Sequence, residues 1–501
     1  VGIAWDPFGE GKTALRAGYS IHFVNDEFIR SAEGAIANAG LSQSVSATGL
    51  RGRVSAGLPA ITPPTFKVPR TFEDNFRLNT QSSFAMAVPN LRMPYVQQWN
   101  FGIQHEWKDM IIDIRYVGNH GTQLFRSFDL NQVIVVENGF LTDFLRAQNN
   151  GNLARARTGV FDPNFNSSIP GSQPLTIFPQ LGEGGRLNNS TIRNLIDQGQ
   201  VGELAFTYQT QGLNRSINFF PNPFGVSANL LVNYSHSTYN ALQIDIHRRL
   251  QNGLTFQANY AFSKVLSNSE GTGQTRFEPL LDIKQPSIER ARAPFDLTHQ
   301  IKANFVYDLP SGAGRWFNVK PLERLLTGWK LSGITTTQSG TPFSVVSGRG
   351  TLNRSGRSGN NTANTSLTGE QFKEFFKVRM TPTGPYFVPA SAIGPDGRAV
   401  APDGSAPFAG QVFFQPGAGT LGTLQRFMFS GPWVFNLDFA VSKITKINER
   451  QSVELRMDAS NIFNHPTWSF GDQTITSTNF GRITGTFFGR RILQFKLEYR
   501  F

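Results

Sequence analysis

The sequence predicts an all-β chain folded as an antiparallel transmembrane β-barrel. Three observations carry that prediction. Apolar residues recur at every second position in about eleven spans, most of roughly 9–13 residues, the length a tilted strand needs to cross a bilayer. Short and long connections alternate between the spans. Aromatic side chains gather toward span ends, where bilayer interfaces favour Trp and Tyr.

Residues 1–5 read as the end of a strand, and 6–12 (DPFGEGK) as a Gly- and Pro-containing turn. Span 13–23 sets Leu15, Ala17, Tyr19, Ile21 and Phe23 on one face, and 97–107 does the same with Trp99, Phe101, Ile103 and Trp107. Spans 110–118 and 238–250 follow. In 253–263 Leu254, Phe256, Ala258, Tyr260 and Phe262 alternate with Thr255, Gln257, Asn259 and Ser263. The remaining spans are 297–309, 328–338, 433–442, 452–460 and 491–501. Strict alternation of this kind is a strand with one dry and one wet face.

The links 6–12, 108–109, 251–252 and 444–450 are short, with 310–327 a longer member of that set. Links 24–95, 119–237, 264–296, 339–432 and 461–490 are long. Short turns at one end and long loops at the other describe a bacterial outer-membrane barrel, whereas structureless loops of this length are foreign to a compact soluble domain. On that parity the eleventh span descends to a periplasmic C-terminus. No long amphipathic helix is expected, only short helical turns near 139–147 and 370–378.

Periodicity alone leaves two readings of the faces. A soluble sandwich turns its apolar face to a core, and a membrane barrel turns it to lipid. The polar faces carry charges of both signs (Glu106, Asp113, Arg115, Asp245, Arg249, Glu454, Arg456 and Asp458), which suits a watery lumen. With the aromatic span ends and the loop parity, this favours the barrel. The 44 Phe are then expected on lipid-facing sides of strands.

Composition excludes several classes. Only 16% of residues are charged, against about 25% in ordinary soluble domains. No stretch of about 18 apolar residues supports a membrane helix. The absence of Cys removes disulfide scaffolds, thiolate nucleophiles and Cys-based zinc sites. Lys+Arg exceed Asp+Glu by 47 to 35, giving +12, but without a contiguous basic block or a nucleic-acid motif. A nucleic-acid partner is therefore not expected. The chain starts at Val1 with no signal segment, and reads as a mature product or a fragment.

Several segments resemble TonB-dependent receptors. They are DPFGEGKTALRAGYSIHF at 6–23, PYVQQWNFGIQHEW at 94–107, YVGNHGTQL at 116–124 and YNALQIDIHRRLQNGLTFQANYAFSKVL at 239–266. PFDLTHQIKANFVYDLP at 294–310, GWKLSGITTTQSGTPFSV at 328–345, RMDASNIFNHPTW at 456–468 and FKLEYRF at 495–501 complete the series. The pattern is most similar to Oar-like receptors, which carry a carboxypeptidase-regulatory-like domain. The resemblance implies a 22-stranded outer-membrane barrel, a plug domain behind a TonB box, and uptake driven through the TonB complex. Residues 1–501 then read as the C-terminal part of the barrel, with the plug and TonB box absent from this chain. It also implies that the last strand, through Phe495, Leu497, Tyr499 and Phe501, is the signal read by the barrel assembly machinery.

Catalytic and ligand motifs fare poorly. GEGKT at 9–13 resembles a phosphate-binding loop, but the pattern requires Gly at position 6, where Asp6 stands, and a helix where a strand is read. The seven His (His22, His105, His120, His236, His247, His299 and His465) show no close metal-ligand spacing. Ser235 and His236 are adjacent, so a strand points them to opposite faces. Glu454, Arg456 and Asp458 read as an ion-pair ladder on one strand face. Arg349, Arg354 and Arg357 form a basic run without acid from 339 to 369, a candidate contact for lipopolysaccharide or an anionic substrate.

The expected function is energised uptake across the bacterial outer membrane, with no enzymatic activity, cofactor or metal. The expected partners are outer-membrane lipid and lipopolysaccharide, the assembly machinery, a plug domain and TonB complex. A small-molecule, oligosaccharide or peptide substrate completes the set. The alternatives are a passive porin-like channel and a soluble β-rich extracellular binding protein.

Overall fold

The computed structural model describes residues 1–23, 69, 71–78, 83–269, 280–310, 327–354 and 361–501. Eleven strands form one antiparallel meander in which each pairs with the next in sequence. They are β1 Gly2–Trp5, β2 Thr13–Phe23, β3 Tyr95–Trp107, β4 Met110–Asp129, β5 Ser227–Gln251 and β6 Leu254–Ser267. β7 His299–Asp308, β8 Trp329–Gln338, β9 Val434–Lys446, β10 Ser452–Ser460 and β11 Ile492–Arg500 complete the series. A short strand, Ser83–Ala87, runs parallel beside β5, and Ala291–Arg292 pairs with the end of β6. β1 and β11 are the two edges of this sheet among the described residues, so it is an open arc of barrel wall.

All eleven expected spans are present, and the register explains their alternation. One row across six strands reads Leu15, Ile103, Ile114, Ile244, Tyr260 and Ile301. Another reads Tyr307, Leu331, Val441, Met457 and Phe495. The opposite face carries Gln104, Asp113, Asp245, Asn259, Lys302, Thr336 and Asn436 in one row. The apolar rows are not covered by a second layer: Ile103, Ile114 and Phe101 are 44%, 44% and 54% exposed. A continuous exposed apolar face of this extent requires a non-aqueous neighbour.

The hairpin ends differ as expected. β3 and β4 join through Lys108, which has φ 56°. β5 and β6 join through Asn252 and Gly253, with φ 52° and 78°. Positive φ at both central positions makes a turn whose twist matches that of the strands. A Cβ on Gly253 would lie 2.4 Å from the Asp308 carbonyl, so only glycine lets β7 approach. Trp5, Trp107, Tyr307, Trp329 and Tyr499 lie on the apolar face near this short-turn end. Tyr19, Trp99 and Phe262 lie toward the other. Trp99 and Trp107 are eight residues apart, about 26 Å along an extended strand, comparable to the apolar band of a membrane barrel.

Two expectations need correction. First, β4 and β5 run on to Asp129 and back from Ser227, well past 118 and 238. Alternation does not reveal these extensions. A bulge between Gly121 and Leu124 shifts the register, and Arg126, Ser127, Asp129, Ser227 and Asn229 are buried polar residues. At about 3.3 Å per residue, β5 is roughly 80 Å long and projects far beyond a bilayer.

Second, the long links are not structureless. Residues 119–237 include helices α1 Phe140–Thr158, α2 Ser190–Asp197 and α3 Val201–Thr210. They pack Phe140, Phe144, Phe178, Leu204, Tyr208 and Phe219 into a core. Phe140, Phe144 and Ala147 recur at helical spacing, and Gly139 and Gly159 bound α1 with φ 75° and 79°. The expected short turn near 139–147 is thus a helix of 19 residues. Asp143 in its first turn accepts backbone N–H groups of Thr176, Ile177 and Phe178 at 2.8, 2.7 and 3.0 Å. A second core joins links 339–432 and 461–490 through Phe343, Phe387, Phe413, Phe429, Ile475 and Phe480. The turn near 370–378 is the short helix Gln371–Phe375. Many Phe are therefore loop-core residues, not lipid-facing ones, because the loops are long enough to bury cores of their own.

Trp99 lies across Gly118 on the apolar face, and a Cβ there would sit 2.3 Å from the indole nitrogen. Gly118→Val should displace the ring and cost about 1–3 kcal/mol, the usual penalty of overpacking. Denaturant unfolding in detergent micelles, followed by Trp fluorescence, measures this.

Candidate functional site

The polar face of the sheet is lined with paired ions. Arg456 contacts Asp458 at 2.7 Å, and Arg500 contacts Glu454 at 2.8 Å and Glu498 at 2.7 Å. The sequence-predicted ladder therefore exists and reaches the neighbouring strand β11. Asp113 and Asp245 stand directly opposite each other, with Arg115 at 3.6 Å from Asp113 and Asn259 donating to Asp245. Arg115, Asp245, Asn259, Gln300 and Lys302 border an open groove of ≈ 210 Å³.

The turn at 6–12 shows why it is no phosphate loop. Backbone N–H groups of Phe8, Gly9 and Gly11 donate to the Asp6 carboxylate at 3.1, 3.0 and 2.7 Å. The Gly11 amide foremost, helped by Phe8 and Gly9, holds the Asp6 carboxyl below the usual carboxylate range. The residue that breaks the motif fills the anion-binding position itself, and β2 follows directly.

The histidines are dispersed in local polar contacts. His22 is 2.9 Å from Ser20 Oγ, His105 is 2.9 Å from Thr13 Oγ1, and His120 is 3.1 Å from Thr238 Oγ1. His299 is 2.9 Å from the Tyr260 hydroxyl and stacks on Trp433 with centroids 5.8 Å apart. No group of three metal-ligating side chains occurs among the described residues. Ser235 and His236 are consecutive in β5.

Of the basic run, the two described members, Arg349 and Arg354, have separate partners. Arg349 is buried, with a 2.7 Å contact to Asp403 and a 3.0 Å bond to the Gln198 carbonyl. It ties link 339–432 to the helical module. The Arg354 guanidinium sits 4.6 Å from the centroid of Phe206 in α3. Arg357 lies outside the described residues. Of the expected assembly signal, Phe495, Leu497, Tyr499 and Phe501 are 67%, 74%, 50% and 92% exposed. The first three share the apolar face of β11, and the Tyr499 and Phe501 rings stack at 5.8 Å.

Sequence reasoning missed a buried ionic hub above the strands. Glu289 is 2% exposed, and its Oε1 accepts the Leu281 N–H at 2.7 Å. Its Oε2 pairs with Arg426 and lies 3.6 Å from Arg126. These three residues come from β4, from the link 264–296 and from the link 339–432, with no periodic signal to join them. Beside the hub, segments 281–290 and 419–426 enclose an open cavity of ≈ 570 Å³. Arg290 and Arg426 both line it.

Glu289→Ala should leave two guanidinium groups in a buried site without this carboxylate, at a cost of about 3–5 kcal/mol. Limited proteolysis should then cut segments 280–296 and 424–430 while the strands resist; unchanged cleavage counts against the hub.

The model of the family described as outer membrane beta barrel domain matches residues 1–494. No curated protein matches the chain. Among solved structures, the outer membrane transporter YddB from Escherichia coli is 8% identical, with TM-score 0.42, over 99% of this chain and 39% of that one. The pyoverdine outer membrane receptor FpvA from Pseudomonas aeruginosa PAO1 is 9% identical, with TM-score 0.35, over 100% of this chain and 35% of that one. A mutant of the ferric enterobactin receptor PfeA from Pseudomonas aeruginosa is 7% identical, with TM-score 0.37, over 100% of this chain and 39% of that one. The chain thus spans about two fifths or less of the length of these structures.

Proposed function

This chain belongs to the outer membrane β-barrel domain family, and from that premise we propose that it is the C-terminal barrel part of a TonB-dependent transporter. The observation that carries the reading is the wall itself: an antiparallel meander, exposed and apolar outside, ionic inside, with folded loops at one end. The segments that resemble TonB-dependent receptors run from 6–23 to 495–501, over nearly the whole wall. In this reading the plug and TonB box belong to another part of the whole protein. The ionic inner face holds the plug, and the loop modules meet a small-molecule, oligosaccharide or peptide substrate. No step in this role requires an enzyme active site or a cofactor.

Energised uptake and passive diffusion differ electrically. The whole protein in a planar bilayer should show no steady conductance, because a plugged barrel opens only when driven. A constant open-channel current would overturn the proposal in favour of a porin.

The last strand is proposed as the signal recognised by the barrel assembly machinery. Its support is that Phe495, Leu497, Tyr499 and Phe501 are exposed on an edge strand, where a partner strand or protein can read them. Phe501→Ser in the whole protein should lower its heat-modifiable fraction in the outer membrane several-fold. Unchanged levels would refute the signal.

A further inference from the structure

The cavity between 281–290 and 419–426 is a chamber of ≈ 570 Å³ at the long-loop end, within the size range of small-molecule sites. Its wall combines charge, hydroxyl groups and aliphatic side chains. Charge is the informative part. Three ion pairs surround it: Arg292 with Asp296 at 3.0 Å, Arg426 with Glu289, and Lys284 with Glu137. Arg290 differs from these. It is half-buried, its Nη1 is sealed from solvent without a hydrogen-bond partner, and no carboxylate pairs with it among the described residues. The sealed Nη1 does not reach the chamber, but Nε and Nη2 are not sealed and have no hydrogen-bond partner among the described residues, and this edge of the guanidinium can engage an incoming carboxylate through two parallel N–H groups.

The rest of the wall narrows the class. Asp282 lines the chamber without an ion-pair partner among the described residues and can accept hydrogen bonds from ligand hydroxyls. Thr362 Oγ1 donates to the Leu424 carbonyl and Thr420 Oγ1 to the Gly417 carbonyl, both at 2.7 Å. Each keeps lone pairs to accept further hydroxyl donors. Leu281, Ile288 and Leu421 supply apolar contact for the C–H face of a ring.

We propose that this chamber binds a small polyhydroxylated carboxylate of the sugar-acid class, with Arg290 holding the carboxylate. The assignment deepens the uptake reading and rests on it, and it places an anion contact at a residue outside the basic run at 349–357.

The test uses the whole protein purified from outer membranes in detergent, titrated calorimetrically with digalacturonate and with maltose. Maltose has comparable size and hydroxyl groups but no carboxylate. Digalacturonate should bind at least tenfold more tightly. Arg290→Gln should remove that preference and leave maltose binding unchanged, while Arg290→Lys keeps part of it. Thr420→Trp, which fills the chamber, should weaken both. Equal binding of the two sugars would overturn the proposal. So would failure of digalacturonate to bind heat-modifiable protein, or an Arg290→Gln variant that binds as before. A steady bilayer conductance with these binding results intact would sink only the energised uptake, so the two failures are distinguishable.

Discussion

Backbone hydrogen bonding in a medium without water constrains everything else in this molecule. Hydrocarbon offers no partner to an N–H or a carbonyl, so a membrane wall must pair each strand with its neighbours along its whole length. The unbroken ladder from β1 to β11 is that solution. Alternation follows from it, because a paired strand presents successive side chains to opposite sides. Ile103, Ile114 and Ile244 share a row on one side, while Gln104, Asp113 and Asp245 share one on the other. The outside is apolar because lipid touches it, and the inside is free to hold ions.

Beyond the bilayer that constraint lifts, and the chain behaves like a soluble protein. β4 and β5 continue into water, bulge, and bury both faces under loops. The loops then carry aromatic cores, one helical and one irregular, of a kind that the membrane wall lacks. Arg349 with Asp403, and Glu289 with Arg126 and Arg426, fasten the modules to one another. Partner removal in a buried ionic site is costly, so these contacts hold the loops in one arrangement.

Charge in the loops shows how little a linear pattern says about a site. Arg349 and Arg354 stand close in an acid-free stretch, yet folding takes one to Asp403 and the other to Phe206. Arg290 sits among Glu289, Arg292 and Asp296, where a reader of the sequence would assign it a partner. Its neighbours are matched with other residues instead, and Arg290 lines a chamber without a carboxylate partner among the described residues.

The sequence by itself determined the membrane wall: the positions of eleven strands, their faces, the short-turn end and the turn at Asp6. These are legible because strand periodicity and turn chemistry are local, expressed over a dozen residues or fewer. Tertiary structure alone decided the extensions of β4 and β5, the loop cores, the destinations of the arginines and the chamber beside Arg290. Those features depend on residues such as Arg126, Glu289 and Arg426, brought together from distant links with no repeating spacing. Only the folded chain sets which side chains meet, and so which charges are neutralised.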